Sequence, residues 1–489
     1  MSEPVIGLEV HAQILCNTKL FSCADSDFFK PLNSTVSFFD CALPGTLPVL
    51  NRRCVESAVK TALALNCEIN YVSRFDRKHY FYADMPAGYQ ITQQMHPIAS
   101  DGFIEFYVYD KKDCRIPYLK KTKIHRIQLE QDSGKSFHEL KNNRTLIDLN
   151  RAGCALMEIV LEPNLSSGLE AACLVSELMS ILEDIQTCGC QMNRGQLRVD
   201  ANVSIKQSEK FLGIKTEIKN LNSVKFVKKA IEYELGRHIE CLRSGIPIVN
   251  QTMTYDYKTG ETSPMRDKEV RQDYRYMPEP NLPPLRLYEK EIKDMKDPYV
   301  CLEKLRADMP LLRRTKRNEW ICKRKIPMTT VLALEKVPDK LRFLDLCFHS
   351  SPTVDSEYLA NQIMRAPMDF GQKNRMLPQN FSHFCDLLKN NLITSATFEQ
   401  LLSSYNFADG QTLPDQDEQK KAWYIINDKD RLDALCDQIL SSEAKAISDY
   451  KNGVTKTMKR FVRLAQVSLN GRGCSIQLED IFGRKLQEK

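Results

Sequence analysis

In the stretch Val5-Ile6-Gly7-Leu8-Glu9-Val10-His11-Ala12-Gln13, the apolar Ile6, Leu8, Val10 and Ala12 recur at every second position. That period belongs to a β-strand with one buried face and does not fit a helix, whose apolar positions recur every three to four residues. Glu9 and His11 then project together from the opposite face. A carboxylate beside an imidazole suits a divalent cation or acid/base chemistry, and equally a solvated strand face.

Residues 1 to about 165 read as β-rich, with strands predicted at Val5–Leu15, Gly102–Tyr109, Ile124–Gln131, Thr145–Leu149 and Ala155–Leu161. Phe75–Gln90 is too polar for a core and too aromatic for a plain linker. Pro86 and Gly88 punctuate it, so it reads as an ordered functional loop. Leu169–Thr187 has helical spacing. Gln196–Ile205 alternates cleanly as a strand, Lys215–Asn222 is a further strand, and Ser223 caps a helix to about Leu242 that Gly245-Ile246-Pro247 ends. The prolines between Tyr274 and Pro284 mark an extended boundary segment.

More acids join Glu9. Glu130 and Asp132 share a face of one predicted strand, with Gln131 between them, and Glu158 lies in another. Oxygen ligands with at most one imidazole favour Mg²⁺ or Mn²⁺ over zinc, and magnesium commonly accompanies a nucleotide phosphate. Asp132-Ser133-Gly134-Lys135-Ser136 ends like a P-loop, but Leu129 stands where its first glycine belongs. Lys135 either faces phosphate from a tight turn or sits in an ordinary β-turn. Asp148, Asn150 and Arg151 form a polar trio beside Gly153. Arg198, Asp200 and Asn202 share one strand face, and Glu217, Lys219, Asn220 and Asn222 follow on the next strand. Such polar density reads either as a sheet that binds a polar ligand or as a wet sheet face.

Composition narrows the class. The 489 residues suffice for two to four domains, and no apolar run reaches the length of a membrane span. Met1-Ser2-Glu3-Pro4 leads into the first strand without a signal-peptide pattern, and no transit peptide is visible. A net charge of +6 permits an RNA partner without demanding one. The 17 cysteines are scattered and contain no Cys-x-x-Cys, which argues against a zinc module or disulfide framework and for a reducing compartment. Beyond about residue 290 helical patterns dominate, with a second helical block from about 380 and a linker at Gly410–Lys420. Arg313–Lys325 is strongly basic, as a solvated face or as a phosphate contact. Lys456, Lys459, Arg460, Arg463 and Arg472 make the last block basic too.

Taken in order, Val5–Gln13, Asp76–Gln90, Leu129–Ser136, Asp148–Glu162, Gln196–Ser204, Glu217–Ser223 and Met265–Glu269 with Asp273–Pro280 closely resemble the B-subunit family of glutamyl-tRNA(Gln) amidotransferases, the GatB family. The match is dense over about 1–290 and thinner but collinear to the end. The resemblance implies an α+β chain: an antiparallel-sheet cradle domain over 1–290, an all-α helical domain over 291–379, and a helical YqeY-like tRNA-binding tail over 380–489. It implies that ATP phosphorylates the γ-carboxylate of the glutamate on misacylated Glu-tRNA(Gln), and that ammonia then displaces phosphate to give Gln-tRNA(Gln). The ammonia would come from a partner amidase (glutaminase), the A subunit, clamped in place by the small C subunit, since no glutaminase signature is present here. A non-catalytic tRNA-binding assembly subunit is the alternative.

By the same resemblance, Glu9, His11, Glu130 and Glu158 are the metal and phosphoryl-transfer residues. Candidates for ATP or tRNA contact are Lys78, Tyr82, Asp84, Lys135, Asn150, Arg151, Arg198, Asp200, Asn202, Lys219, Asn220 and Arg275. The chain departs from the family where many members carry a second acid (here Gln131), a proline (Ala83), a lysine (Ala87) and an aspartate (Asn281). Phe461–Leu469 also lacks the usual Gly-Gln-x-Met-Lys. The variants Gln128-Leu129-Glu130-Gln131 and Tyr82–Ala87 look more like animal mitochondrial members than bacterial ones, which favours the mitochondrial matrix over a bacterial cytoplasm.

Overall fold

The structure is a computed structural model that describes residues 3–27, 29–206, 213–265, 273–292, 299–350, 355–366, 376–404, 422–452, 454 and 456–488. The Gly410–Lys420 linker and the 266–269 part of one motif lie outside the described residues. The chain divides into two compact units, Met1–Lys316 and Arg317–Lys489.

The first unit is built on one nine-stranded sheet. Its strands in chain order are β1 (Glu3–Gln13), β2 (Glu68–Ile69), β3 (Ala99–Asp110), β4 (Cys114–Gln131), β5 (Ala155–Leu161), β6 (Leu197–Lys206), β7 (Thr216–Leu221), β8 (Thr252–Asp256) and β9 (Glu261–Pro264). Their spatial order is β9-β8-β7-β6-β1-β5-β4-β3-β2, so the first strand of the chain lies at the centre. Every neighbouring pair is antiparallel except β7 and β8. The sheet is the expected antiparallel one with a single parallel pair. The helix Val224–Arg243 is the reason: a crossover of that length returns the chain parallel to the strand it left.

Ile6, Leu8, Val10 and Ala12 of β1, Ile127 and Leu129 of β4, Met157 and Ile159 of β5, and Val199, Ala201 and Val203 of β6 are all buried in one core. Among the helices that contribute to that core are α1 (Arg52–Ala64), α2 (Gly168–Asp184) and α3 (Val224–Arg243). Each fully buried Val, Leu or Ile contributes roughly 1.5–3 kcal/mol, which fixes the sheet's register as firmly as its hydrogen bonds do. Helix α1 lies in the stretch expected to be β-rich. Its signals are the Asn51 cap, whose side chain accepts from the Arg53 amide, and the helically spaced Val55, Ala58, Val59 and Ala62. Ser223 sits at the N-cap of α3, but its hydroxyl makes no capping bond. Gly245, at φ +68°, ends that helix.

Residues beyond 290 still belong to the first core, since Leu302, Leu305 and Leu312 are buried in it. The second unit is helical with two cores of its own, one running from Trp320 to Leu402 and one from Leu432 to Leu486. Much of the basic run Arg313–Lys325 is consumed internally. Arg313 binds Asp184 and Glu183, Arg314 donates to the Ala64 carbonyl, and Arg317 pairs with Glu335. On helix Lys456–Ser468, by contrast, Lys456, Lys459, Arg460 and Arg463 are exposed on one face while Phe461, Val462 and Ala465 are buried. Arg460 on that face pairs with Glu443.

Candidate functional site

The register of four strands assembles a polar row on the sheet face away from the helices. His11 on β1 lies opposite Glu158 on β5 and opposite Arg198 on β6, and Glu158 in turn lies opposite Gln128 on β4. Two residues along β4, on the same face, stands Glu130. His11 Nε2 is 3.5 Å from Glu130 Oε1. Among the described residues, the group of potential metal ligands is His11, Glu130 and Glu158, whose ligand atoms all lie within 4.8 Å of one another.

Glu9 stands one step away on the same face, opposite Asp200. Its Oε1 accepts from Asn202 Nδ2 at 3.1 Å, and Asn202 Oδ1 accepts from Lys215 Nζ at 3.1 Å. Glu9 thus borders the trio rather than forming part of it.

The electrostatics show a face short of positive charge. Burial raises the Glu130 carboxyl above its ordinary range, and the Glu158 charge adds to this. Burial also raises Glu9, helped by Glu158 and Glu217. Burial works against the charged His11 imidazole, but the carboxylates of Glu130, Glu158 and Asp200 outweigh it and hold His11 above its ordinary value. Lys78 behaves alike: burial lowers it, yet Glu130 and Glu158 leave its ammonium raised overall. Clustered carboxylates with these shifts are what a bound cation would relieve.

A second layer holds the trio. Gln128 is buried, and its Nε2 donates to Thr92 Oγ1 at 3.1 Å and to Glu158 Oε2. Its Oε1 is buried and has no hydrogen-bond partner among the described residues. Asp132, just past β4, accepts from Arg198 Nη2 at 2.9 Å and lies 3.6 Å from Arg151 Nε. A small sheet of Asp76–His79, Tyr89–Thr92 and Met277–Pro278 carries the cationic wall. Arg77 clamps it through two bonds to Glu279, at 2.6 and 3.0 Å. Lys78 Nζ lies 4.7 Å from the centre of the Tyr274 ring. The charges of Glu130 and Glu158 reach Tyr276, and that of Glu130 reaches Tyr80.

The remaining candidates separate into groups. Arg198 and Asp200 lie on the polar row, and Asp200 also accepts the Asn220 amide at 2.7 Å, where Asn220 takes φ +59° beside a register shift. Lys219 alternates with Ile218, which is buried on the apolar side, and so shares the polar face. Asn150 is fully buried and holds the preceding loop, accepting from the Thr35 amide and donating to the Lys30 and Pro31 carbonyls. Arg151 donates to the Ser133 and Gly134 carbonyls. Asp84 accepts from Ser136 Oγ, and its carbonyl accepts from the Gly134 amide. Gly134 is required there, because a Cβ would sit 2.9 Å from the Asp148 carbonyl oxygen. Lys135 opens the strand Lys135–Glu139 rather than a helix, with its ammonium 4.6 Å from the centre of the Phe137 ring, so no P-loop-like cradle forms. Tyr82 is exposed on the aromatic loop and packs edge-on to Tyr80. Arg275 is exposed, and its carbonyl bonds His79 Nδ1 at 2.9 Å.

Gln131 points away from the trio. Its Oε1 accepts from the Ile91 amide at 3.0 Å, and alternation along β4 puts it on the face opposite Glu130. Sequence reasoning linked this residue to the metal because many family members carry a second acid there, and alternation along the strand separates it from Glu130. What that reasoning missed is Gln128, together with the Tyr80 and Tyr276 wall. The spacing of Gln128 and Glu130 on one strand was the available signal for the first.

Residues 4–293 match the GatB/GatE catalytic domain, and residues 359–485 match the GatB domain of the YqeY type. The mitochondrial glutamyl-tRNA(Gln) amidotransferase B subunit of Aedes aegypti is 41% identical over 473 residues, covering 95% of this chain and 89% of its own length. The human mitochondrial protein of the same name is 40% identical over 492 residues, covering 99% and 88%. The aspartyl/glutamyl-tRNA(Asn/Gln) amidotransferase B subunit of Orientia tsutsugamushi (strain Ikeda) is 36% identical over 491 residues, covering 99% and 97%. Among the described residues no helix is long and apolar enough to cross a membrane. With a catalytic-domain match spanning most of the first unit and full-length relatives at this identity, the chain belongs to the GatB family.

Proposed function

We propose that this chain is the phosphorylating and amidating B subunit of a glutamyl-tRNA(Gln) amidotransferase. The observation that carries the reading is the convergence of His11, Glu130 and Glu158 on one open sheet face, beside the cationic Lys78. Two carboxylates and one imidazole suit Mg²⁺. In this reading His11, Glu130 and Glu158 hold the ion, with Glu9 beside them. When bound, Mg²⁺ neutralises phosphate charge during transfer.

The chemistry has two steps. An oxygen of the glutamate γ-carboxylate attacks the γ-phosphorus of ATP, and ADP leaves. Ammonia then attacks the acyl carbon of the resulting acyl phosphate, and phosphate leaves. A carboxylate is a poor acyl donor at neutral pH, and phosphorylation supplies the leaving group. Lys78 faces the carboxylate trio and is placed to meet phosphate oxygens. Arg198, held by Asp132, keeps the far end of the row cationic. The exposed face of Lys456, Lys459, Arg460 and Arg463 is suited to an RNA backbone.

The relatives are named as one subunit of a tRNA-dependent amidotransferase, several of them mitochondrial. Those names support membership of a multi-subunit complex; the partners in this reading are an amidase (the A subunit), a small C subunit and misacylated Glu-tRNA(Gln). The mitochondrial names support a mitochondrial location, and the matrix is the compartment in this reading. The alternative of a protein that has lost its chemistry drew on Gln131, which lies on the other face of β4 from the trio. The test is ATP hydrolysis by the chain with its partner subunits, with and without Glu-tRNA(Gln), using ammonium as nitrogen donor. Hydrolysis that requires the charged tRNA and yields Gln-tRNA(Gln) is expected. Measurable tRNA binding without such hydrolysis would overturn the proposal.

A further inference from the structure

The second unit carries a cleft of its own. It measures about 360 Å³, and its lining includes Thr397, Gln400, Trp423, Asn470 and Arg472. Three segments build it and are tied to one another by hydrogen bonds and packing. Helix Ser395–Ser404 supplies Thr397 and Gln400. The segment that carries Trp423 is held on both sides. The Ile425 amide donates to the Leu392 carbonyl, the Ile426 amide to the Arg472 carbonyl, and Arg472 Nη1 to the Ala422 carbonyl at 3.0 Å. The third segment is the turn after helix Lys456–Ser468, where Asn470 and Gly471 take φ +52° and +77°. That turn packs so closely on helix Ser395–Ser404 that a Cβ on Gly471 would lie 3.1 Å from Ala396 Cβ. Trp423 is half-buried. Its ring stands nearly perpendicular to that of Phe384 with centroids 5.6 Å apart, which fixes the indole in the wall.

The lining combines one indole with four side chains that between them carry hydrogen-bond donors and acceptors. That make-up suits a flat heteroaromatic ring with a polar edge. A cationic stripe leads to it. Lys456, Arg460, Arg463 and the exposed Val467 follow at three- and four-residue spacing along one helix face, and Asn470 stands three residues further on. We propose that the cleft takes one unpaired nucleobase of the RNA whose phosphates lie along that stripe, with Trp423 as the stacking surface and Thr397, Gln400, Asn470 and Arg472 as partners for the base edge. The proposal rests on the reading of tRNA as the substrate. Bases inside a duplex are stacked and paired and do not reach a wall of this kind. An unpaired base does, because its face and its Watson–Crick edge are both available. Phosphate contacts along the helix supply affinity without sequence preference, and the cleft adds a requirement for an unstacked nucleotide at a fixed place beside them.

The chain has two tryptophans, and the other, Trp320, is buried in a core. In full-length Trp320→Phe the emission therefore comes from Trp423 and reads the cleft directly. With a tRNA(Gln) transcript, quenching of that emission is expected at the midpoint that filter binding gives, while a fully paired RNA duplex should bind without quenching. Bound transcript with unchanged emission, equal quenching by the duplex, or no binding of the transcript would overturn the proposal. Should that variant misfold, Trp423→Ala in the otherwise unmodified chain decides the matter. Affinity for the transcript should fall about 10-fold, Trp423→Phe should recover most of it, and duplex affinity and the salt dependence of binding should stay as they were. No loss, or a loss shared by the duplex as a purely structural role would give, would refute the assignment. Hydrolysis of ATP is a separate readout: quenching by the transcript without tRNA-dependent hydrolysis would sink the amidotransferase reading and leave the cleft standing.

Discussion

His11 and Glu158 stand opposite each other in the register of β1 and β5, strands separated by more than 140 residues of chain, and His11 Nε2 lies 3.5 Å from Glu130 on the next strand. Three strands of one sheet thus contribute one ligand atom each to a cluster within 4.8 Å. Because strands flanking each other in a packed sheet cannot slip by one residue without inverting both faces, the cluster is as rigid as the core beneath it.

Gln128 should behave as an outer-layer residue of a metal site. It fixes one Glu158 oxygen while tied to Thr92. Gln128→Ala is expected to lower Mg²⁺ or Mn²⁺ affinity by about 10–100-fold while leaving the fold intact. Titration calorimetry with Mn²⁺ and circular dichroism would measure the two. Unchanged affinity would mean that Glu158 needs no orientation or binds no metal.

Gln131 should matter for stability and not for the metal. Removing its side chain leaves the Ile91 amide without its acceptor in a buried setting. Gln131→Ala should therefore cost about 1–3 kcal/mol in urea unfolding, with metal affinity unchanged. A large loss of metal affinity would show that this residue reaches the trio after all.

The carboxylate cluster predicts a pH signature. Glu130 and Glu9 are raised above 4.5 in the folded chain. A group whose proton is held more tightly in the folded state stabilises most below its unfolded value, and that contribution is lost as pH rises through the folded value. His11, raised above 6.5, has the same sign. Between about pH 5 and 8 the metal-free chain should lose melting temperature through this cluster, Glu130→Gln should lose less, and added Mg²⁺ should restore more at the higher pH. Parallel melting curves for the two proteins across that range would contradict the cluster's electrostatics.

Glu234 has the opposite sign. It is buried, which alone would raise it, but hydrogen bonds from His238, Arg237, Thr216 and Thr262 hold it far below the usual carboxylate range. Its contribution is present above the unfolded value of about 4.5 and lost as pH falls. Since it ties α3 to β7 and β9, Glu234→Ala should cost about 3–5 kcal/mol at neutral pH. Denaturant unfolding would check this, and a cost below about 1 kcal/mol would mean the network repacks.

Much of the architecture was legible in sequence because it rests on local period. Ala155–Leu161 is a strand with the predicted ends, and the predicted strand Gln196–Ile205 and helices Leu169–Thr187 and Ser223–Leu242 agree with the structure within a few residues. Helix α1 was hidden in a region whose overall texture is β-rich. The basic run from Arg313 was ambiguous because a sequence does not show which guanidinium groups meet Asp184, Glu183 or Glu335.

The alternation in Val5–Gln13 was enough to put Glu9 and His11 on one face, and the family's motifs were enough to name Glu130 and Glu158 as their companions. Only the tertiary structure decided that Glu9 turns to Asn202 while His11, Glu130 and Glu158 converge. It also decided that Asn150 holds a loop and that Gln131 faces away. The physical reason is that periodicity is a property of one strand, written in neighbouring residues. Convergence depends on the order and register of strands that are far apart in the chain, set by how the shared core packs.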